Sequence, residues 1–368
     1  MSAIGEVRTE MRHPSARPRL DGQIRVAMLI PLQGPAGIFG PSCELCAELA
    51  VQQINDEGGM LGREVQLLVV DGGDAPGRVA DQVDRLLREQ QVDAIVGWHS
   101  SAVRQAVAPR VLGRVPYVYT ALYEGGEVTP GLFMTGETPQ RQVLAALRWM
   151  AREAGIARWI VVGDDYVWPR RTAAAAAAAA AECGVRFQEQ IFVTPDSGNH
   201  AQALLRLEQG DCDGVLMLML GENGVQFNRQ FVTAGLDASI ARLSPLMDEN
   251  MLLGGGTDTT RNLYSTAGYF EALATAESLG FNARYSRRFG VDAPVLNSIG
   301  ESCYEGMLLL AEIVRGARSL DVDRLRATAS GTAYSSPRGD VNVREQHLEQ
   351  RIYLARASGL DFDILTAL

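Results

Sequence analysis

Short apolar β-type runs alternate with helical segments along most of the chain, and this alternation constrains the fold more than any other feature. The first run, IRVAMLI at residues 24–30, is broken by Pro31 and Gly34. A helical pattern follows over residues 41–57 and stops at Gly58 and Gly59. EVQLLVV (64–70), the turn DGGDAPG and a helix over 78–90 repeat the unit. DAIVG (93–97), a helix over 101–112 and VPYVYT (115–120) repeat it again. Runs without polar alternation belong to a parallel sheet covered by helices on both faces. After the loop YEGGEVTPG and the short strand LFMTG, a second round begins with a helix over 139–154. It continues with ARWIVVGDD, a helix carrying Ala173 to Ala181, VRFQEQIFV, a further helix, CDGVLMLML and a helix starting near Glu222. Alanine is the best helix former, so the nine-alanine run reads as a closely packed helix.

The last third changes character. LYSTAGYF is followed by helices over 272–289, 297–315 and 322–330 with no strand between them, then by DVNVR (340–344) and QRIYLARA (350–357). Helices alone cannot build a third doubly wound unit. They are expected to complete the helical layers of the first lobe, with the terminal strands returning to the second. For 368 residues this predicts an α/β clam shell of two lobes, each a doubly wound, mostly parallel sheet flanked by helices. The expected division is a tail over 1–21, lobe I over 22–139 and 271–331, and lobe II over 140–270 and 332–368. The three crossings fall near Pro139, Phe270 and Gly331.

Charge and motifs exclude several functions. Lys plus Arg number 34 and Asp plus Glu 44, a net charge of −10, which argues against nucleic acid or an anionic membrane surface as a partner. No apolar stretch reaches the roughly 18 residues of a spanning helix. Residues 1–20 hold Arg8, Arg12, Arg17 and Arg19 with Pro14 and Pro18, but no apolar signal-peptide core. The chain as given is therefore expected in the cytoplasm; an exported protein trimmed of its leader is the alternative. The five cysteines are scattered, and Cys43 and Cys46 share an apolar helical face with Ala47, Ala50 and Ile54, so they read as buried core thiols. No phosphate loop, dinucleotide fingerprint or nucleophile elbow occurs. Gly254, Gly255 and Gly256 read as a loop. His13, His99, His200 and His347 are isolated, so neither a metal site nor a cofactor is expected. His99 beside Ser100 and Ser101 is the only seed of a hydrolase. The pattern favours binding over catalysis.

In open α/β sheets, ligands bind beyond the carboxyl ends of the strands. Those ends read VGWHSS (96–101), VYTALYEGGEVTP (118–130), VVGDDYVWP (161–169), LMLGEN (218–223) and SPLMDEN (244–250). Together with IPLQGPAGIFG and AELAVQQINDEGGMLGREVQ, they resemble the type I periplasmic binding proteins of the branched-chain amino acid and amide/urea branch. Two motifs carry the finer likeness: Y-x-x-x-Y-E-G-x-E-x-[ST]-P from Tyr119 to Pro130, and G-x-D-Y-x-x-P-R from Gly163 to Arg170. Both resemble the subgroup that takes urea and short aliphatic amides, which includes transporter receptors and a cytoplasmic amide sensor that represses an antitermination factor. The resemblance spans roughly residues 24–357 and implies the two-lobed fold, three hinge crossings and no enzymatic activity.

It also implies a site. In the first lobe, Ser101 at a helix start matches a family serine, with Trp98, His99 and Ser100 just before it. The amide subgroup has a tyrosine where His99 stands. Tyr119 matches a family tyrosine, and Thr120, Ala121 and Tyr123 follow. Ala121 occupies the place of a threonine that bonds the ligand amide, so that hydroxyl is missing. In the second lobe, Tyr166 matches the tyrosine that closes over the ligand, and Trp168 sits where a second aromatic is usual. Glu222 and Asp248 fall in loops that hold the ammonium partner in amino-acid receptors. Plain packing is the competing reading for Trp98, Trp168, Tyr123, Tyr269 and Phe270, while Glu124 and Glu127 read as surface residues of the hinge-side loop. The ligand expected is a small polar metabolite: a short amide, urea or a branched-chain amino acid. The partners expected are a regulator protein or the membrane subunits of an ABC transporter, with a homodimer as a further expectation.

Overall fold

The computed structural model describes residues 22–195 and 198–368, so the tail expected over 1–21 and His13 lie outside the described residues. The first lobe is built from β1 (Ile24–Ile30), α1 (Gly40–Asp56), β2 (Val65–Asp71), α2 (Pro76–Arg88), β3 (Ala94–Gly97), α3 (Ser101–Val111), β4 (Tyr117–Tyr119) and β5 (Leu132–Met134). Its five strands are parallel and ordered β5-β4-β3-β1-β2. The apolar run of β1 is buried at every residue but Arg25 because strands flank it on both sides and helices cover both faces. The strand order reverses between β1 and β3, and a crevice opens beyond their carboxyl ends. Gly97 ends β3 at φ +148, and a Cβ there would lie 2.2 Å from the Leu29 carbonyl oxygen. Only glycine lets the chain pass so close to β1 and deliver Trp98 to Ser101 over the crevice.

The second lobe repeats the plan with α4 (Val143–Ala154), β6 (Arg158–Asp164), α5 (Val167–Ala178), β7 (Arg186–Val193), α6 (Ala201–Gln209), β8 (Gly214–Leu218), α7 (Gly221–Thr233), β9 (Ala241–Ser244), α8 (Glu249–Gly255) and β10 (Leu263–Ala267). The order β7-β6-β8-β9-β10 places its switch point between β6 and β8. In α5, Ala173 and Ala176 are buried, and the helix ends at Ala178, short of the end of the alanine run. The chain there turns back toward the sheet through Gly184 at φ +71. Gly254 and Gly255, expected in a loop, form the last turn of α8 instead, since the Asp248 cap starts a helix ahead of them.

Three helices follow: α9 (Ala276–Phe289), α10 (Ser298–Ala317) and α11 (Val322–Ala329). The long, largely buried α10 packs along α1 and completes the helical layer of the first lobe. The next segment departs from expectation. β11 (Ala333–Ser336), β12 (Gly339–Arg344) and β13 (His347–Glu349) form an antiparallel meander on the first sheet, with β13 beside β5. Gln346 fastens it there, its carbonyl accepting from Met134 N at 2.8 Å and its side chain from Gly131 N at 2.7 Å. Only β14 (Tyr353–Ser358) and β15 (Asp361–Ala367) reach the second sheet, beside β10. The third crossing is therefore at residues 350–352 and not at Gly331, and residues 332–349 belong to the first sheet.

A buried arginine ties the crossings together. Arg338 pairs with Glu301 on α10 at 2.6 Å and reaches Glu137 at 3.7 Å and Gln350 at 2.5 Å. Glu137 in turn accepts from Gly268 N at 2.7 Å, so residues of all three hinge segments meet around one guanidinium. Tyr269 and Phe270, at the second crossing, are packed in the core. Among the described residues no helix is long and apolar enough to cross a membrane, and no group of His, Cys, Asp and Glu is placed to hold a metal ion.

Candidate functional site

The first lobe presents the residues that leave β3. Trp98 packs edge-to-face on Phe39, with ring centroids 5.1 Å apart. His99 is fully buried, with Nε2 2.6 Å from the Tyr117 hydroxyl and Nδ1 3.2 Å from the Ser100 carbonyl. Burial pushes its pKa down to about 3, so the ring is neutral. The Nδ1 proton is thus directed at Ser100, and Nε2 accepts from Tyr117. Ser100 caps α3 by accepting from Val103 N at 3.3 Å. Tyr119 stands beside His99 and donates its hydroxyl to the His99 carbonyl at 2.5 Å.

Beneath this wall lies a charge cluster that sequence reasoning missed. Arg104, one turn into α3, is 2% exposed and pairs with Glu124 at 2.7 Å and Glu127 at 3.1 Å. Its guanidinium lies over the rings of Tyr119 and Tyr123, 4.9 and 5.5 Å from their centroids. Ser101 donates to Glu124 at 2.6 Å and accepts from Arg104 at 3.2 Å. Glu124 and Glu127, expected on the surface, are drawn inward by this buried cation. Burial alone would raise the Glu124 carboxyl, but Arg104 and the Ser101 hydroxyl outweigh it and hold the pKa below its usual value.

The second lobe faces this wall with the ends of its own strands. Asp164, at the end of β6, accepts from Leu220 N at 2.7 Å and from the Asn223 side chain, which locks the ends of β6 and β8 together. Tyr166 follows at the start of α5, its ring centroid 6.3 Å from that of Trp168. The lobes touch around the cleft. Gly221 lies so close to Pro35 of the first lobe that a Cβ would come within 2.0 Å of its carbonyl oxygen. Asn250 reaches Ser42 at 3.4 Å, and Arg171 approaches Glu124 at 4.0 Å. Between them lies a narrow cleft. Trp98, His99, Ser100, Ser101, Tyr119 and Leu122 form one wall, and Tyr166, Trp168, Leu220 and Leu246 the other.

Seven of the residues singled out from sequence thus meet at one cleft, and five do not. Thr120 is buried behind the wall, bonded to Ser302 at 3.0 Å. Ala121 is buried at φ +65, and Tyr123 bonds His347 at 2.8 Å. Glu222 stays on the surface, where it accepts from Gln226, because the first turn of α7 points it to solvent. Asp248 caps α8 through one oxygen; the other is buried without a partner. Leu122, Leu220 and Leu246 join the seven at the cleft, and all three sit in strand-end segments that the sequence does mark.

Burial pushes the pKa of Asp248 up to about 7 and that of Glu301 up to about 8. A carboxyl that holds its proton more tightly folded than unfolded loses stability as pH rises from its unfolded to its folded pKa. The free protein is therefore expected to melt at a higher temperature at pH 5 than at pH 8. Asp248→Asn should flatten that slope, the group carrying up to roughly 4 kcal/mol across the interval. A melting profile that rises toward pH 8 in the parent would refute this.

The comparisons with known proteins agree with this architecture. The chain is similar to the Leu/Ile/Val-binding protein homolog 3 of Brucella melitensis, 22% identical over 248 residues, or 66% of this chain and 67% of that one. Its fold is similar to that of a solute binding protein of an ABC transporter from Rhodopseudomonas palustris, crystallised with 3,4-dihydroxybenzoic acid. That match has a TM-score of 0.81 and 21% identity over 94% of this chain and 97% of the other. It is similar as well to a leucine binding protein from Thermotoga maritima, with a TM-score of 0.81 and 18% identity over 94% of this chain and 98% of that one. The periplasmic binding protein family model matches residues 23–361, and the chain belongs to that family.

Proposed function

We propose that the protein is a non-catalytic receptor that takes a small polar solute into the cleft and hands it to the membrane subunits of an ABC transporter. The observation that carries this reading is the set of hydrogen-bond donors left open on the cleft walls. Trp98, Trp168 and Tyr166 line the cleft, and among the described residues their indole N–H groups and hydroxyl donate to no acceptor. An aromatic, apolar enclosure with a few open polar groups is the ordinary form of a small-molecule site. Opening and closing about the three crossings would admit and enclose the solute. A hydrolase reading finds little support. The neutral His99 is engaged by Tyr117 and Ser100, and the Ser101 proton goes to Glu124 rather than to a histidine.

A short amide or urea suits these walls: its carbonyl would accept from the open donors and its N–H groups would face hydroxyl oxygens. A second reading is a branched-chain amino acid, for which the acid would be Asp248, buried two residues beyond Leu246 of the cleft wall with one oxygen unpartnered among the described residues. The relatives are named for leucine, isoleucine and valine or carry a benzoic acid, which supports a small organic solute in general. Membership in a family named for the periplasm supports an exported receptor over the cytoplasmic setting read from the first residues. Cell fractionation tests that point.

A thermal-shift panel of urea, acetamide, butyramide, leucine, valine and benzoate tests the ligand. A compound at about 100 times its Kd adds roughly 2.7 kcal/mol, a plain melting shift. If leucine or valine binds, Asp248→Asn should abolish the shift. If an amide binds, the same variant should bind it normally. A panel without any response would remove the receptor reading.

A further inference from the structure

This inference rests on the cleft being the ligand site and concerns how its polarity is set. We propose that the buried Arg104–Glu124 pair is the positioning element of the site: it fixes Ser101 as a hydrogen-bond acceptor and gives Arg171 of the opposite lobe its anchor when the lobes meet.

A serine hydroxyl has one proton and two lone pairs. Alone at a cleft wall it would turn to suit either a carbonyl or an N–H group. Here the proton is committed to Glu124 at 2.6 Å, and one lone pair takes the Arg104 N–H at 3.2 Å. One acceptor position is left for the cleft. The Glu124 side chain is fully buried and its other oxygen is held by Arg104 at 2.7 Å, so the carboxylate cannot swing away. Tyr119 is committed in the same sense, because its proton goes to the His99 carbonyl. The first lobe thus offers acceptors at Ser101 and Tyr119 beside the Trp98 N–H, while on the second lobe Trp168 offers a donor and the Tyr166 hydroxyl turns to suit either group. The Ser101 acceptor favours a ligand that brings an N–H to it, and it discriminates against an analogue whose nitrogen carries no hydrogen.

Glu124 also has a partner across the cleft. The exposed Arg171 of α5 lies 4.0 Å from the same carboxylate that holds Ser101. One buried anion therefore serves both the orientation of the hydroxyl and the approach of the lobes.

The test compares butyramide with N,N-dimethylbutyramide and leucine with N,N,N-trimethylleucine by calorimetry, on the parent, Ser101→Ala, Glu124→Gln and the double variant. Whichever parent compound binds, the parent protein should prefer it to its methylated analogue at least tenfold, and either single variant should erase most of that preference. The double variant should lose no more than Ser101→Ala alone, which is the sign of a shared role and not of general damage. Glu124→Asp, which keeps a charge beside Arg104 while shortening the reach to Ser101, replaces the glutamine variant if that one does not fold. Arg171→Gln, on an exposed side chain, should weaken binding two- to fivefold and reduce its salt dependence. A full preference retained in the Glu124 variants, with butyramide or leucine still binding, overturns this inference and leaves the receptor reading standing. A parent protein that binds neither these compounds nor any other of the panel overturns both.

Discussion

Replacing Arg338 with methionine is expected to cost about 3–5 kcal/mol of folding stability, because it strips the cation from a buried cluster of carboxylates. The side chain is 1% exposed, and Glu301, its partner at 2.6 Å, is fully buried. Glu137 lies 3.7 Å away and carries the hydrogen bond from Gly268, while Glu305 sits one turn beyond Glu301 on α10. One oxygen each of Glu301 and Glu305 is already unpartnered in the parent. Removing Arg338 leaves these groups a single way to relax, which is to take up protons. The deficit should therefore be larger at pH 8 than at pH 6, and paired urea titrations at the two pH values check it. A variant as stable as the parent at pH 8 would mean that the guanidinium does not hold the hinge.

The second large effect concerns the ligand and not the fold. Tyr166→Ala is expected to weaken binding by about 2–3 kcal/mol, since buried tyrosines at the centre of a binding surface dominate affinity. It forms part of the second-lobe wall, and its hydroxyl has no partner among the described residues. The melting point of the free protein should hardly move, because the half-buried side chain lines a cleft. Calorimetry on the compound found by the panel, with a melting curve of the free variant, separates the two roles. A variant that unfolds when free yet binds normally once folded would make Tyr166 a packing residue.

The repeated strand–helix units were legible because burial writes itself into local composition. The run IRVAMLI can only be a strand covered on both faces, and α2 shows its amphipathic pattern plainly. The edge strands were less so. In β12 only Val341 and Val343 are deeply buried, and that alternation marks a strand with one covered face without saying which sheet supplies the cover. Its neighbour is chosen by the meander with β13 and by Gln346, both tertiary matters. Glu124 was misread for a similar reason. YEGGEVTP looks like a solvated loop until Arg104, twenty residues upstream, arrives beneath it. No periodicity announces such a pair. Strand ends line the candidate cleft, and in LMLGEN it is Leu220 that reaches it while Glu222 faces solvent. The C-x-x-C pattern was read by helix geometry: Cys43 and Cys46 are buried thiols whose pKa values burial drives up.

The course of the last strand decides how the protein should be labelled. After running along the outer edge of the second sheet, β15 returns to the third crossing, where Leu368 N donates to the Ile352 carbonyl at 2.8 Å. Anything fused after Leu368 therefore emerges at the third crossing, while Gly22 enters the amino end of β1, the end of its sheet away from the cleft. A pair of dyes on Gly22 and Leu368 would span a distance that barely changes if the lobes close as proposed, and would report silence even from a working receptor. Dyes on the exposed faces of α3 and α5 straddle the mouth instead, and a bulky tag is better carried ahead of β1 than beside the hinge.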